Sequence, residues 1–460
     1  MAFHENGRQS IGSFWANFRW FWLIRRFLSW FFFGHDDRVW SFAWGGMSQY
    51  LSLDAPDLDS DLIALLAEQA GLSGVRLALV GGAVRDLMLY QMLRDPWRPL
   101  SDLDLLLEGS SSDFVSHLQD QYGPDRVSEL QLHEQFGTAE LVIDGLRLDV
   151  ACARTETYPA PGENPHVQAG TLEQDLARRD FTVNAMALVL QPDGSPQLFD
   201  PHRGREHLLQ RQLVFLHETS VADDPTRVFR GARYGARLGF QLAPSALVQV
   251  QATLVQWPWA WKPGDVMDAV PPALGTRLRM ELELLFEREP WQEALTLLQQ
   301  WSAMPLLDPA LQRDCRLCRR LVQGSRLELP ALMVLVAAAG DPVGLASRLQ
   351  LPHQQQLWLN QLVDIRHWLD DEVSELPWDG WGALDWTRRL EQKRWAPEVV
   401  ALAVLDNNAF RRPLLRWWGR WRHVRSPVSA RELMAQGVTA GPALGDALRR
   451  LRDQQLQQMC

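Results

Sequence analysis

The stretch Leu77–Gly109, LALVGGAVRDLMLYQMLRDPWRPLSDLDLLLEG, constrains this chain more than any other. Leu77, Ala78, Leu79 and Val80 make a short apolar run that stops at Gly81-Gly82, after which Val84, Leu87 and Met88 recur at helical spacing. The spacing predicts strand, tight turn and helix. Two glycines let the backbone come close to a ligand, and the free N–H groups of the helix start, with Arg85 in the first turn, suit a polyphosphate. Asp102 and Asp104 alternate with Leu103 and Leu105, the period-two pattern of a strand with both carboxylates on one face. Such carboxylates stand about 7 Å apart along a strand and can share a pair of hard cations about 4 Å apart. Either half alone is ordinary turn chemistry or a solvated strand face; the order and spacing together are not.

At 460 residues the chain exceeds what one hydrophobic core supports, so several domains or subdomains are expected. With 46% hydrophobic and 22% charged residues it is an ordinary globular chain. A net charge of −10 excludes a protein coated in basic surface, so contact with nucleic acid must come from local patches. All basic residues but Lys262 and Lys393 are arginines, which suit bidentate contacts to phosphates and base edges, although genomic base composition accounts for the bias equally well. Cys152, Cys315, Cys318 and Cys460 fit a reduced, cytoplasmic protein; Cys315-x-x-Cys318 lacks the second pair that a zinc site needs and reads as a helix segment.

Residues 1–46 crowd Trp15, Trp20, Trp22, Trp30, Trp40 and Trp44 among phenylalanines. Arg19, Arg25 and Arg26 interrupt the one candidate for a membrane span, which needs about 20 nearly uncharged residues. This leader reads as a disordered tail or translated upstream sequence ahead of Met47, with an interfacial helix as the alternative. Asp57–Ala70 has helical spacing, as does Phe114–Gln121, and Thr138–Ile143 and Leu146–Val150 flank Asp144-Gly145, a strong hairpin signal. On the second arm Asp149 is in phase to face the acid pair; it is either a third carboxylate or a partner for Arg147 or Arg154. Arg154–Gly170 is rich in Pro and Gly and predicts a loop, followed by Arg178-Arg179-Asp180 at a helix start.

In this order, G-G-A-V-R-D followed by D-L-D resembles the signature of the nucleotidyltransferases that include bacterial CCA-adding enzymes and poly(A) polymerases. Thr171–Leu188, TLEQDLARRDFTVNAMAL, is similar to that family's second motif, R-R-D-F-T-x-N-A-M-A. In the family those residues help hold the incoming nucleotide and its ribose, which implies this role for Arg179. Leu198–Leu209 resembles D-P-x-x-G-x-x-D-L but has His207 where the pattern has Asp, a change expected to affect local packing. Ala222–Phe240, ADDPTRVFRGARYGARLGF, is similar to the fourth motif, E-D-P-x-R then x-x-R-A-x-R-F-A, with Asp223 replacing Glu and Gly231 and Gly235 replacing alanines. The resemblance implies Asp224 and Arg227 for the base edge and Arg230 and Arg233 for the triphosphate. An Asp accepts from an exocyclic amino group and an Arg donates to a ring nitrogen or carbonyl, so the pair imitates a Watson–Crick edge. Cytosine and adenine carry that amino group; uracil does not.

Beyond Leu242 the periodicity is helical over Thr276–Phe286, Trp291–Trp301, Asp308–Val322, Ala331–Ala339, Gln354–Leu369 and Trp386–Gln392. Arg277, Glu281 and Leu282 resemble the family's fifth motif, R-x-x-x-E-L, which supports the base-recognition helix. Arg411–Arg425, RRPLLRWWGRWRHVR, either grips RNA with arginine and tryptophan or buries its tryptophans under snorkelling arginines. Arg431–Leu451 resembles the family's tail element through Gly437, Gly441, Pro442, Gly445 and Leu448.

The resemblance is close over Val75–Phe240 and implies a class II architecture. This is an α+β head with a mixed β-sheet and helices (residues 47–190), then all-α: neck with base recognition (191–290), body (291–425) and RNA-binding tail (426–460). It further implies addition of CMP and AMP from CTP and ATP to the tRNA 3′ end, with Asp102 and Asp104 as catalytic ligands of Mg²⁺ and Gly82, Arg85 and Arg179 positioning the nucleotide. No membrane is required. A poly(A) polymerase and a CC-adding or A-adding enzyme share this chemistry; an inactive RNA-binding scaffold would be expected to lose the acids or arginines, and all are present.

Overall fold

The computed structural model describes residues 51–460, except Asp57, Asn407, Cys460 and the side chain of Asp268. The aromatic leader, 1–46, lies outside the described residues. A seven-stranded mixed sheet organises the first part. It is built from β1 (Arg76–Val80), β2 (Leu103–Glu108), β3 (Val127–His133), β4 (Thr138–Ile143), β5 (Leu146–Cys152), β8 (Ala187–Leu190) and β9 (Pro196–Phe199), in the order β3-β4-β5-β2-β1-β8-β9. Only β2 and β5 pair in parallel, with Asp104 opposite Asp149; the other pairs are antiparallel.

The period-two pattern sorts this sheet into two faces. Leu77, Leu79, Leu103, Leu105, Leu107, Leu148 and Val150 are buried on one face among the apolar residues of α1 (Ser60–Leu72), α2 (Gly82–Leu93) and α3 (Ser111–Tyr122). At about 25 cal/mol per Å² of apolar area removed from water, such a face dominates the stability of the head. The other face is covered only in part. Ala78, Val80 and Leu106 meet Leu172 and Leu176 of α4 (Leu172–Ala177), and the rest of that face forms the wall of a cavity. The β4–β5 turn has Asp144 at φ 50° and Gly145 at φ 86°, as an Asp-Gly hairpin requires.

In the sheet-bearing part, three expectations from sequence are corrected. Asp102 precedes β2 rather than lying within it. The Pro/Gly-rich segment is not all loop, because β6 (Arg154–Thr157) and β7 (His166–Ala169) pair as a ribbon. Arg178 and Arg179 follow α4 instead of starting a helix, since Ala187–Leu190 is drawn into the sheet beside β1.

Next come α5 (Gly204–Leu209), the short parallel pair β10 (Gln212–Leu213) and β11 (Gln241–Leu242), α6 (Ser220–Asp223), α7 (Thr226–Leu238), α8 (Pro244–Gln256), α9 (Thr276–Arg288) and α10 (Trp291–Gln300). His207 bonds Thr182 Oγ1 through Nδ1 at 2.9 Å, a local packing contact. A Cβ at Gly235 would stand 2.7 Å from Leu297 Cδ1, so replacing alanine there lets α10 close on α7. The remaining helices are α11 (Leu317–Arg326), α12 (Ala331–Ala337), α13 (Pro342–Arg348), α14 (His353–His367), α15 (Ala383–Lys393), α16 (Pro397–Leu405), α17 (Arg411–Gly419), α18 (Ala430–Ala435) and α19 (Pro442–Gln457). The helix expected over Asp308–Val322 is broken into a 3₁₀ turn at Pro309–Arg313 and α11. Around α17 the packing reading holds: Trp417 and Trp421 are buried, and Trp418 carries the Arg422 guanidinium 5.0 Å above its ring.

Candidate active site

The open face of the sheet and the polar face of α7 look into one cavity of about 900 Å³. Gly81, Gly82, Arg85, Asp104, Asp149, Arg179, Asp224, Arg227, Arg230 and Arg233 line it. Gly81 ends β1 with φ 70°, a conformation natural to glycine. A Cβ there would lie 3.3 Å from Asp104 Oδ2 and 3.4 Å from Arg179 Nη1, so the turn sits between the acid and the arginine. Asp102 stands just before Asp104 and accepts from Ser101 Oγ at 3.0 Å. Burial in the cleft, with the negative charges of Asp102 and Asp149 set against Arg179, raises the Asp104 carboxyl above the usual aspartate range. Asp149 is likewise raised, by burial and then by Asp102 and Glu140, with Arg147 opposing. Of its two readings, the structure places Asp149 beside the acid pair.

Among the described residues no group of three or more His, Cys, Asp or Glu side chains forms a ready metal cage. Magnesium is typically held by one or two carboxylates completed by water and substrate phosphates. Mutually repelling carboxylates open to a polar cavity fit such a cation.

The arginines are held from behind. Asp175, fully buried, accepts from Arg179 Nε and Nη2 on Oδ1 at 3.2 and 3.1 Å, and from Arg178 Nε and Nη2 on Oδ2 at 3.0 and 2.7 Å. Glu156 accepts from Arg178 Nη1 and from Arg154 Nη2, both at 2.8 Å. Arg85 spends its donors internally: Nε and Nη2 go to Asp86 at 3.0 and 2.9 Å, and Nη1 goes to Asn184 Oδ1 at 2.8 Å. It therefore forms the cavity floor. Asn184 passes an N–H to Asp180, which pairs with Arg230 at 3.0 Å. Burial alone would raise the Asp180 carboxyl, but Arg230, Asn184 and the Phe181 N–H together hold it below the ordinary range.

On α7, Arg233 pairs with Glu281 at 2.5 Å and with Glu289 at 3.4 Å. Asp224 caps the helix entrance, accepting on Oδ1 from the Thr226 N–H at 3.0 Å and hydroxyl at 2.6 Å, while Oδ2 pairs with Arg277 of α9. Arg227 donates to the Arg178 carbonyl at 2.9 Å, tying α7 to the segment after α4. Asp175 and Glu156 were not singled out from sequence. The one available signal was an acidic residue three and four positions before the arginine pair, within helical reach.

Residues 77–214 match the model of the poly(A) polymerase head domain. A CC-adding tRNA nucleotidyltransferase of Deinococcus radiodurans is 34% identical over 388 residues, covering 84% of this chain and 86% of that protein. An A-adding tRNA nucleotidyltransferase of Halalkalibacterium halodurans is 40% identical over 181 residues, covering 39% of this chain and 40% of its own. The fold is shared with a CCA-adding enzyme solved in an apo form, with a TM-score of 0.65 at 22% identity over 86% of this chain and 91% of that one. It is shared also with the Thermotoga maritima CCA-adding enzyme solved in complex with tRNA, with a TM-score of 0.61 at 21% identity over 86% and 90%. With a relative matched along most of both chains and the head domain recognised on the residues that carry the acids, this chain belongs to the tRNA nucleotidyltransferase and poly(A) polymerase family.

Proposed function

We propose that this chain adds CMP and AMP from CTP and ATP to the 3′ end of tRNA, without a nucleic-acid template and with release of pyrophosphate, in the cytoplasm. One observation carries the reading: Asp104 beside Gly81, with Asp149 next to it, shares a single cavity with Asp224 and Arg227 at the start of α7. No helix among the described residues is long and apolar enough to cross a membrane.

Asp102 and Asp104 are the residues that would hold Mg²⁺, and bound magnesium supplies a more acidic 3′-hydroxyl and charge neutralisation for the departing pyrophosphate. The chain's own groups orient and select. The N–H groups at the start of α2 beside Gly82, with Arg179, take the sugar and phosphates; Arg230 and Arg233 set positive charge along the triphosphate. Asp224 accepts from the exocyclic amino group of cytosine or adenine while Arg227 donates to the neighbouring acceptor. Because these groups are already fixed, the reacting atoms meet with little reorganisation.

A second reading, addition of CC alone, is favoured by the Deinococcus relative, which spans most of this chain. Incubation with tRNA ending at the discriminator base, with CTP, ATP or both, separates the two. Two cytidines from CTP alone, then one adenosine once ATP is added, is the expected result. A stop after CC establishes the second reading, and a long A tail overturns both.

A further inference from the structure

We propose that His217 is a positioning residue for base selection, holding the Arg227 guanidinium in its reading plane through one fixed imidazole tautomer. The inference rests on the reading that Asp224 and Arg227 judge the base, and adds what holds Arg227 in place.

Arg227 is buried, yet among the described residues no carboxylate pairs with it; Asp224 is taken by Thr226 and Arg277. Its donors go to neutral acceptors instead. Nη2 reaches the Arg178 carbonyl at 2.9 Å, and Nη1 reaches the Ser220 carbonyl at 3.5 Å and His217 Nε2 at 3.2 Å. A guanidinium has no lone pair to offer, so His217 Nε2 must be the acceptor and carry no hydrogen. The neutral ring then has its hydrogen on Nδ1, which lies 3.0 Å from Thr219 Oγ1. Thr219 in turn donates its hydroxyl to Asp223 Oδ2 at 2.7 Å. The hydrogen bonds thus run one way, from Arg227 through His217 and Thr219 to Asp223.

The backbone around the ring is tied down as well. Gln249 of α8 donates to the His217 carbonyl at 2.8 Å, and the His217 N–H donates to Ser220 Oγ at 3.3 Å. The ring borders a second cavity of about 330 Å³ that shares Arg227 with the main one. The charged and titratable groups facing it are Asp223 from α6, Arg227 from α7, Arg178 beyond α4, and Glu156 and Tyr158 from the β6 segment; α8 contributes the uncharged Gln249. Burial, reinforced by Arg227 and opposed by Asp223, lowers the ring's proton affinity below the ordinary imidazole value. The ring is therefore neutral at pH 7 and is protonated only in acid. Protonation would set an N–H against an N–H and a positive charge against a positive charge, and the bond to Arg227 would break.

The test is the ratio of kcat/KM for CTP to that for UTP, measured from pH 5.5 to 8 on tRNA ending at the discriminator base. His217→Ala is expected to lower the ratio about five- to tenfold across this range, as loss of one hydrogen bond does. The unsubstituted chain is expected to lose selectivity only toward the acid end. His217→Gln, whose amide oxygen accepts from Arg227 and does not titrate, restores the ratio and removes its fall in acid. If Arg227→Ala loses the ratio while His217→Ala keeps it, the role of His217 is overturned alone. If Arg227→Ala keeps it, the base reading beneath is overturned. Should His217→Ala fail to fold, His217→Leu, which fills the space and cannot accept from Arg227, takes its place, and an unchanged ratio there overturns the proposal.

Discussion

The start of β2 and the polar face of α7 both present charge to the same cavity, but they do so in opposite ways. At the strand end Asp102, Asp104 and Asp149 gather negative charge with no ion pair of their own to Asp102 or Asp104 among the described residues; Arg179 and Arg85 act on Asp104 only through space. On α7 every arginine but Arg227 is compensated: Arg230 has Asp180, Arg233 has Glu281 and Glu289, Arg237 has Glu289, and at the helix entrance Asp224 has Arg277, while Arg227 is held by neutral acceptors. A half-built charge cluster is a site that waits to be completed by a cation and phosphates. A cluster whose donors are already taken, by carboxylates or by neutral acceptors, keeps its shape before the nucleotide arrives, which is what discrimination between bases needs. The fold thus separates a demand for ligand from a rigid gauge of the ligand's identity.

The largest effect should come from the uncompensated half. Asp102→Ala is expected to reduce nucleotide addition at least about 10²–10³-fold, the size of a lost transition-state charge interaction, while tRNA binding in a gel-shift assay stays intact. Unchanged turnover would remove Asp102 from the cation site. The compensated half predicts a different signature. Asp175→Asn leaves Arg178 and Arg179 without their shared buried acceptor, so KM for the nucleotide should rise about tenfold with a smaller change in kcat, and the melting temperature should fall. Steady-state kinetics and a thermal melt check both; a wild-type KM would mean that the clamp does not set the arginines.

The two halves also differed in how plainly the sequence announced them. The strand, the Gly81-Gly82 turn and the acid pair were legible because each is written in a local period or a glycine, and the α7 stripe because arginines recur along one helix. Pairings between distant segments were not. Arg85 was expected to face a phosphate, yet two of its donors go to the adjacent Asp86 and Nη1 reaches Asn184, ninety-nine positions on, a pairing that nothing local to Arg85 signals. The β6–β7 ribbon escaped notice because β7 is exposed on both faces and β6 is nowhere buried, so no alternation marks it; only backbone pairing defines it. The helical spacing around Arg178 misled because an apolar run, Ala187–Leu190, is claimed by the sheet, where tertiary pairing overrides local preference. In Arg411–Arg425 a basic, aromatic composition suited RNA and core equally, and the burial of Trp417 and Trp421 decided for core.

The smallest effect tests the comparison most directly, because it asks whether the strand end is under strain of charge when no cation is supplied. The Asp104 carboxyl binds its proton more tightly in the folded chain than an ordinary aspartate does. Folding therefore favours the protonated form, and the ionised form costs stability at neutral pH, a cost that fades as pH falls through the raised value. Asp104→Asn carries no charge at any pH, so in chelator at pH 7 it should melt above the unsubstituted chain, by about 1–2 °C in a protein of this size. The gap should close as pH is lowered toward the ordinary aspartate range. It should reverse when magnesium and a nucleotide are added, since a ligand stabilises only the chain able to bind it. Differential scanning fluorimetry in the two buffers reads both shifts. A variant that melts lower in chelator would show that the ionised, buried Asp104 carboxylate does not cost the fold stability, and the contrast with α7 would fall with that result.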